Sequence, residues 1–183
     1  MIPVEMTPVE LMGLQVEPST GAPIVLLRET GEPRRVLPVF IGTPEAIAIA
    51  VGMEGATASR PLTHDLLVDV LAGAETCLER IDVTALDGGT FHAELQLRSP
   101  RGIRRVASRP SDAIALAVRL GAPMFASEAV LDEAGVEVVE VEDGEELETG
   151  GQMTAAEIEA TLEEFTSFLD DIDPSDFVED DPS

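Results

Sequence analysis

The sequence predicts an α+β fold: a mixed, largely antiparallel sheet packed with about three helices, plus a C-terminal amphipathic helix. Three observations lead there. Short apolar, β-branched runs near the start are punctuated by Gly- and Pro-containing turns, and a DGG turn separates two alternating segments in the middle. Between and after them the apolar period changes from that of a strand to that of a helix. With 183 residues, 44% of them apolar and 26% charged, one principal core is expected and disorder of the whole chain is excluded.

Taken in order, Val9 to Glu17 partly alternates in polarity and ends at the turn PSTGAP, which reads as a strand. Ile24 to Glu29 and Arg35 to Ile41, joined by TGEPR, suit a hairpin, so the sheet is expected to start antiparallel. In GTPEAIAIAVGMEG, Thr43 is placed to cap a helix and Pro44 to occupy its first turn. Residues 46 to 51 are apolar on every side, which predicts burial on most faces. RPLTHDLLVDVLAG announces a second helix, with Thr63 as its cap and Leu66, Leu67, Val70, Leu71 and Ala74 as an apolar stripe. LERIDVTAL and TFHAELQLR flank Asp87 to Gly89, where glycine accepts the positive φ of a tight hairpin. RGIRRVAS adds a strand. RPSDAIALAVRLG opens a third helix, with Pro110 near its start, Ser111 and Asp112 in its first turn and Gly121 just past its end. APMFAS reads as a short buried strand and EAVLDEAG as a closing turn or two of helix.

This places the core domain at residues 1–135 and an acidic linker at 136–153. An amphipathic helix follows at 154–173, with a capping-box spacing from Thr154 to Glu157 and a stripe of Ile158, Leu162, Phe165, Leu169 and Ile172. A disordered acidic tail is expected at 174–183.

Charge is distributed as unevenly as structure. All 11 basic residues are Arg and the last is Arg119, whereas 15 of the 36 acidic residues lie in 1–127 and 21 in 128–183. The first part therefore carries −4 and the second −21 of the net −25. Coating nucleic acid through bulk electrostatics is excluded, because phosphate binding needs cations that displace counterions; any such contact must be local. The single Cys77 excludes an internal disulfide framework and a Cys-based zinc cluster, fits a reducing compartment, and reads as a small buried side chain. The first 20 residues contain Glu5, Glu10 and Glu17 and no basic residue, unlike a secretory signal, and no window is apolar enough to span a bilayer. A cytoplasmic protein without a membrane partner is expected.

Four segments together resemble a known family. LPVFIGTPEAIAIAVGMEG, RPLTHDLLVDVL, DGGTFHAEL and ASRPSDAIALAVRLGAPMFASEAVLDEAG are similar, in order and spacing from about Val9 to Gly135, to the bifunctional nuclease (BFN) domain family. The pieces RPLTHDLL and RPSDAIALA are the most specific. The resemblance implies a compact α+β domain, often self-associating, and cleavage of both DNA and RNA by some members. Two departures are His92 where a Tyr is usual and an extra Gly in the DGG turn; the acidic extension is outside the family domain.

Five residue groups are weighed for chemistry. His64 at a helix start suits proton transfer, and the rival reading is a hydrogen bond to a loop carbonyl. Asp65 would orient His64 or, with Asp69 four residues on, bind Mg²⁺ or another divalent cation; an ordinary solvated helix face is the alternative. Arg109, Ser111 and Asp112 open the third helix, where free N–H groups, a hydroxyl and a guanidinium suit a phosphate, although Asp112 would compete for the same positive end by pairing with Arg109. Arg98, Arg101, Arg104 and Arg105 form the densest basic stretch for nucleic-acid binding, with Arg28, Arg34 and Arg35 as a conceivable extension, or else solvated hairpin charge. Aromatic interleaving is absent there except for Phe91, which argues against base stacking. Cys77 lacks the basic surroundings of a nucleophile. No organic cofactor is expected.

The leading expectation is therefore a nuclease, carried by the resemblance, with DNA or RNA as substrate. Its rival is a non-catalytic oligomeric domain that recruits protein partners through the 154–173 helix, and a third reading is a small anionic ligand at the Ser111 helix start. The acidic extension is expected to compete with nucleic acid for the Arg patch.

Overall fold

The computed structural model describes residues 5–55 and 60–137. Most of the acidic linker, the 154–173 helix and the 174–183 tail expected from the sequence lie outside the described residues.

Strands β1 (Met6–Val16), β2 (Pro23–Glu29) and β3 (Arg35–Phe40) come first, followed by helices α1 (Thr43–Glu54) and α2 (Thr63–Gly73). Strands β4 (Cys77–Asp87), β5 (Thr90–Ser99) and β6 (Gly102–Ser108) lead into helix α3 (Pro110–Leu120). Strand β7 (Met124–Ser127), helix α4 (Glu128–Ala134) and the short β8 (Val136–Glu137) complete the α+β fold.

All eight strands join one sheet in the order β6-β5-β4-β7-β1-β2-β3-β8. Every pair is antiparallel except β4 with β7, the pair whose connection runs through α3. The expected antiparallel start is present, with Val25 opposite both Leu14 and Val39. Gly88 and Gly89, with φ of 54° and 82°, make the two-residue turn between β4 and β5; both values lie where a Cβ is strained, so the DGG sequence dictates this hairpin.

The core centres on α3. Pro110, Ser111 and every residue from Ala113 to Ala117 are buried, and the helix packs against α1, α2, β4 and β5. Its apolar neighbours include the fully buried Ile49, Ile81 and Val83. Gly121 ends it in the left-handed conformation (φ 63°), as the sequence predicts. Helix α1 approaches α3 so closely at Gly52 that a Cβ there would lie 2.7 Å from both Val118 Cγ2 and Arg119 Nη1.

Three local expectations are corrected, the caps at Thr43 and Thr63 and the burial of Cys77. Thr43 and Thr63 are the first residues of their helices and not the caps; the caps are Gly42 and Leu62, neither with a side-chain hydrogen bond. Asp65 takes over the capping work for α2 by accepting a hydrogen bond from the Leu62 amide at 3.0 Å. The apolar stripe of α2 is not covered: no residue of this helix is buried, and Leu66 and Val70 are each 55% exposed. Cys77 is exposed, because it begins β4 directly after the turn at Glu75 and lies opposite Arg98 near the end of the sheet. No helix among the described residues is long and apolar enough to cross a membrane.

At the other end of the sheet, Arg35 is nearly buried and pairs with Glu29 (2.8 Å), Glu128 (2.7 Å) and Asp132 (2.7 Å). It ties β3 to its neighbour β2 and to α4. The Arg35 hydrogen bond holds the Glu29 carboxyl below its ordinary value of 4.5 despite burial, and hydrogen bonds from Thr7 and then Arg35 do the same for Glu128.

Gly52→Ala should cost about 1–3 kcal/mol of stability by forcing α1 off α3, measured by urea unfolding. Arg35→Ala should cost about 3–5 kcal/mol, since it leaves Glu29 buried and uncompensated. Because these carboxyls have lowered folded values, their contribution is complete above pH 4.5 and is lost as pH falls through the folded values. The wild type should therefore show a steeper fall in stability below pH 4.5 than Arg35→Ala does.

Candidate functional site

The site grows from the first turn of α3. Pro110 has no amide proton to leave unpaired, and the amides of Ser111 and Asp112 precede the first available helical carbonyl. Arg109 folds back over this turn. Its Nε donates to Asp112 Oδ2 at 2.7 Å and its Nη2 to Asp112 Oδ1 at 3.1 Å, while Nη1 donates to Glu45 Oε1 at 2.8 Å. Glu45 lies in the first turn of α1, so one guanidinium joins two helix N-termini.

His64, on α2, places Nε2 3.2 Å from Asp112 Oδ1. Burial works against the charge of Asp112, yet the hydrogen bonds from Arg109 and His64 hold its carboxyl below the ordinary range. Hydrogen bonds to Asp112 and Glu45 hold the Arg109 guanidinium above its ordinary value, so it is a permanent cation shared by two carboxylates.

A cleft of about 510 Å³ opens in front of this group. Phe40 at the end of β3, Gly42 and Glu45 at the start of α1, Gly89 and Phe91 at the β4–β5 hairpin, and Arg109 and Ser111 at the start of α3 line it. Ser111 is only 6% exposed, and its hydroxyl has no hydrogen bond among the described residues. The accessible hydroxyl of a nearly buried serine that lines the cleft, two amides without a helical partner and a guanidinium together provide donors for an anion.

The bifunctional nuclease domain model matches residues 25–139. The chain belongs to this family. Two uncharacterized proteins of Mycobacterium tuberculosis, from strains CDC 1551 / Oshkosh and H37Rv, are each 40% identical over 169 residues, covering 92% of this chain and 96% of the relative. The similarity to these relatives therefore runs past the end of the bifunctional nuclease domain and into the acidic extension.

Within this domain the candidate residues divide. Arg109 and Ser111 line the cleft, and Asp112 and His64 stand behind Arg109. Asp65, although next to His64, reaches the other way: its Oδ1 accepts from Arg119 Nε at 2.7 Å, and its Oδ2 from the Leu62 amide at 3.0 Å. Arg119 holds the Asp65 carboxyl below its ordinary value. With both oxygens of Asp65 bonded and Asp69 exposed, this pair does not fit a divalent cation. Among the described residues no group of three His, Cys, Asp or Glu is arranged to hold a metal.

The basic stretch is divided by strand alternation. Arg98 and Arg105 share one sheet face and pair with Glu79 and Glu94; Arg104 projects from the opposite face, and Arg101 lies in the β5–β6 turn. The conceivable extension through Arg28, Arg34 and Arg35 is not formed: these residues lie on and around β2 and β3, toward the far end of the strand order, and pair with Glu10, Glu32 and Glu29.

Two residues of the cleft escaped the sequence. Glu45 is legible only as an acid in a helix first turn, which complements the helix dipole anywhere. Phe40 is the last residue of a strand, and nothing in its neighbours signals that it stands 60% exposed beside Phe91.

Glu45 competes with any anion for Arg109. Glu45→Gln should therefore tighten binding of inorganic phosphate by roughly threefold to tenfold, the size of a partly exposed ion pair. Isothermal calorimetry against wild type checks this.

Proposed function

We propose that the protein hydrolyses phosphodiester bonds of DNA and RNA in the cleft between the starts of α1 and α3. The observation that carries this reading is the convergence there of Arg109, the unpartnered Ser111 and a carboxylate, in a chain of the bifunctional nuclease domain family. A substrate phosphate takes the Arg109 Nη1 donor from Glu45 and accepts from Ser111 and the α3 amides, which stabilise the charge that develops on its oxygens. Glu45, released, accepts a proton from the attacking water. The new P–O bond forms as the bond to the leaving oxygen breaks, and that oxygen takes a proton from solvent.

This reading gives the proton-transfer role to Glu45, since His64 does not line the cleft. His64 and Asp112 are positioning residues that orient Arg109. Asp65 is a structural residue of α2. A divalent cation, if the reaction uses one, would meet Glu45 as the cleft carboxylate.

A second reading has its own support. The bare stripe of α2 and the edge strand β6, with Ile103 52% and Val106 44% exposed, suit a self-associating or partner-binding domain. Absence of cleavage together with an oligomer that dissociates on Val70→Glu, seen by light scattering, favours it over hydrolysis.

Cleavage of plasmid DNA and of RNA, each with and without Mg²⁺, tests the proposal. Wild type should cleave both. Arg109→Ala should lower kcat/KM by about 10²–10³-fold. Glu45→Gln should lower kcat by about 10²–10⁴-fold although it binds phosphate more tightly. Equal cleavage by all three proteins overturns the site.

A further inference from the structure

We propose that the cleft admits a single unpaired nucleotide, with its base against Phe40 and Phe91, so that single-stranded DNA and RNA are the preferred substrates over duplex. The proposal rests on the reading of the cleft as a phosphodiester site and adds what selects the strand.

Charge decides between a duplex grip and a nucleotide grip. A protein that holds duplex does so by neutralising several phosphates at once, and its affinity scales with the number neutralised. Here the chain has no Lys, and most of its arginines are paired with carboxylates: Arg28 with Glu10, Arg35 with Glu29, Arg98 with Glu79 and Arg105 with Glu94. Arg109 itself is shared between two acids. No described face offers the row of free cations that a duplex backbone needs. Affinity must come from somewhere other than phosphate count.

The cleft supplies that source: the arginine stretch has too few aromatics for stacking, but Phe91 lines the cleft together with Phe40 of a different strand. Its volume of about 510 Å³ is of the size that takes one nucleotide. Phe40 is 60% exposed, an unusual state for a phenylalanine at a strand end, and it lines the same cleft as Phe91 and Ser111. A base stacked on an aromatic ring gains about 1–3 kcal/mol regardless of its identity, which suits a site that takes both DNA and RNA. Ser111, 6% exposed and without a hydrogen bond to its hydroxyl among the described residues, would receive the phosphate of the same nucleotide. In duplex the base is already stacked and paired, and extruding it costs a few kcal/mol, about what the two rings return.

Fluorescence anisotropy of the full chain with labelled oligo(dT), with and without its complementary strand and with divalent ions chelated, tests the proposal. Single strand should bind at least about tenfold more tightly than duplex, and Phe40→Ala should reduce single-strand affinity by about tenfold while Phe40→Trp retains it. Phe40 is exposed, so an unchanged melting temperature in both variants separates lost stacking from lost folding. Duplex binding equal to or tighter than single-strand binding, no single-strand binding, or an unaffected Phe40→Ala overturns the proposal. Failure of the nuclease reading shows separately, as no cleavage of either form when Mg²⁺ is restored while the binding preference persists.

Discussion

Arg119 is the contact on which the helical layer depends. Its side chain is 8% exposed, and its guanidinium bonds Asp65 of α2, the Ala48 carbonyl of α1 and the Ala115 carbonyl of α3. One cation near the carboxyl end of the central helix, where the dipole favours it, thus holds three helices in register. Gly52 is the counterpart of this arrangement, because only a residue without a Cβ lets α1 come close enough to Arg119. At the opposite end of α3, Arg109 repeats the pattern more loosely, joining α1 through Glu45 and, through Asp112 and His64, α2. The buried clamp at one end makes the geometry of the exposed clamp at the other reproducible, and the cleft opens at the exposed one.

That division explains why two adjacent residues part company. His64 and Asp65 follow one another at the start of α2, so their side chains leave the helix about 100° apart. One reaches the amino end of α3 and the other Arg119 near its carboxyl end. Their common role is to fasten α2, a helix whose outer apolar face is otherwise uncovered. An ion pair with a nearly buried partner is costly to break, so α2 is held by charge where it is not held by burial.

Much of the local structure was legible in particular residues. The DGG turn, the RPSD start of α3 with Gly121 at its end, and the alternation of β2 and β3 each specify backbone geometry through neighbours in the chain. The ion pair Arg109–Asp112 was legible as a competition for one helix end, and it is formed. That α2 leaves its apolar stripe uncovered was not legible. Periodicity states which side chains share a face but not whether another element covers that face. The exposure of Cys77 is hidden for the same reason, and the arginines of β5 and β6 form no single patch, because alternation puts Arg98 and Arg105 on the face opposite Arg104.

By itself, the sequence determined the α+β class and the order of the elements, which follow from short-range turn chemistry and periodicity, and it carried the family through the resemblance of its RPLTHDLL and RPSDAIALA segments. The tertiary structure decided which charges are already spent on one another and which remain to meet a ligand. Phe40 with Glu45, Phe91, and Ser111 come from three separate segments and converge only when the β3–α1 junction, the β4–β5 hairpin and the start of α3 meet at a common cleft. No local rule links the three segments, because their proximity is set by contacts between elements far apart in the chain.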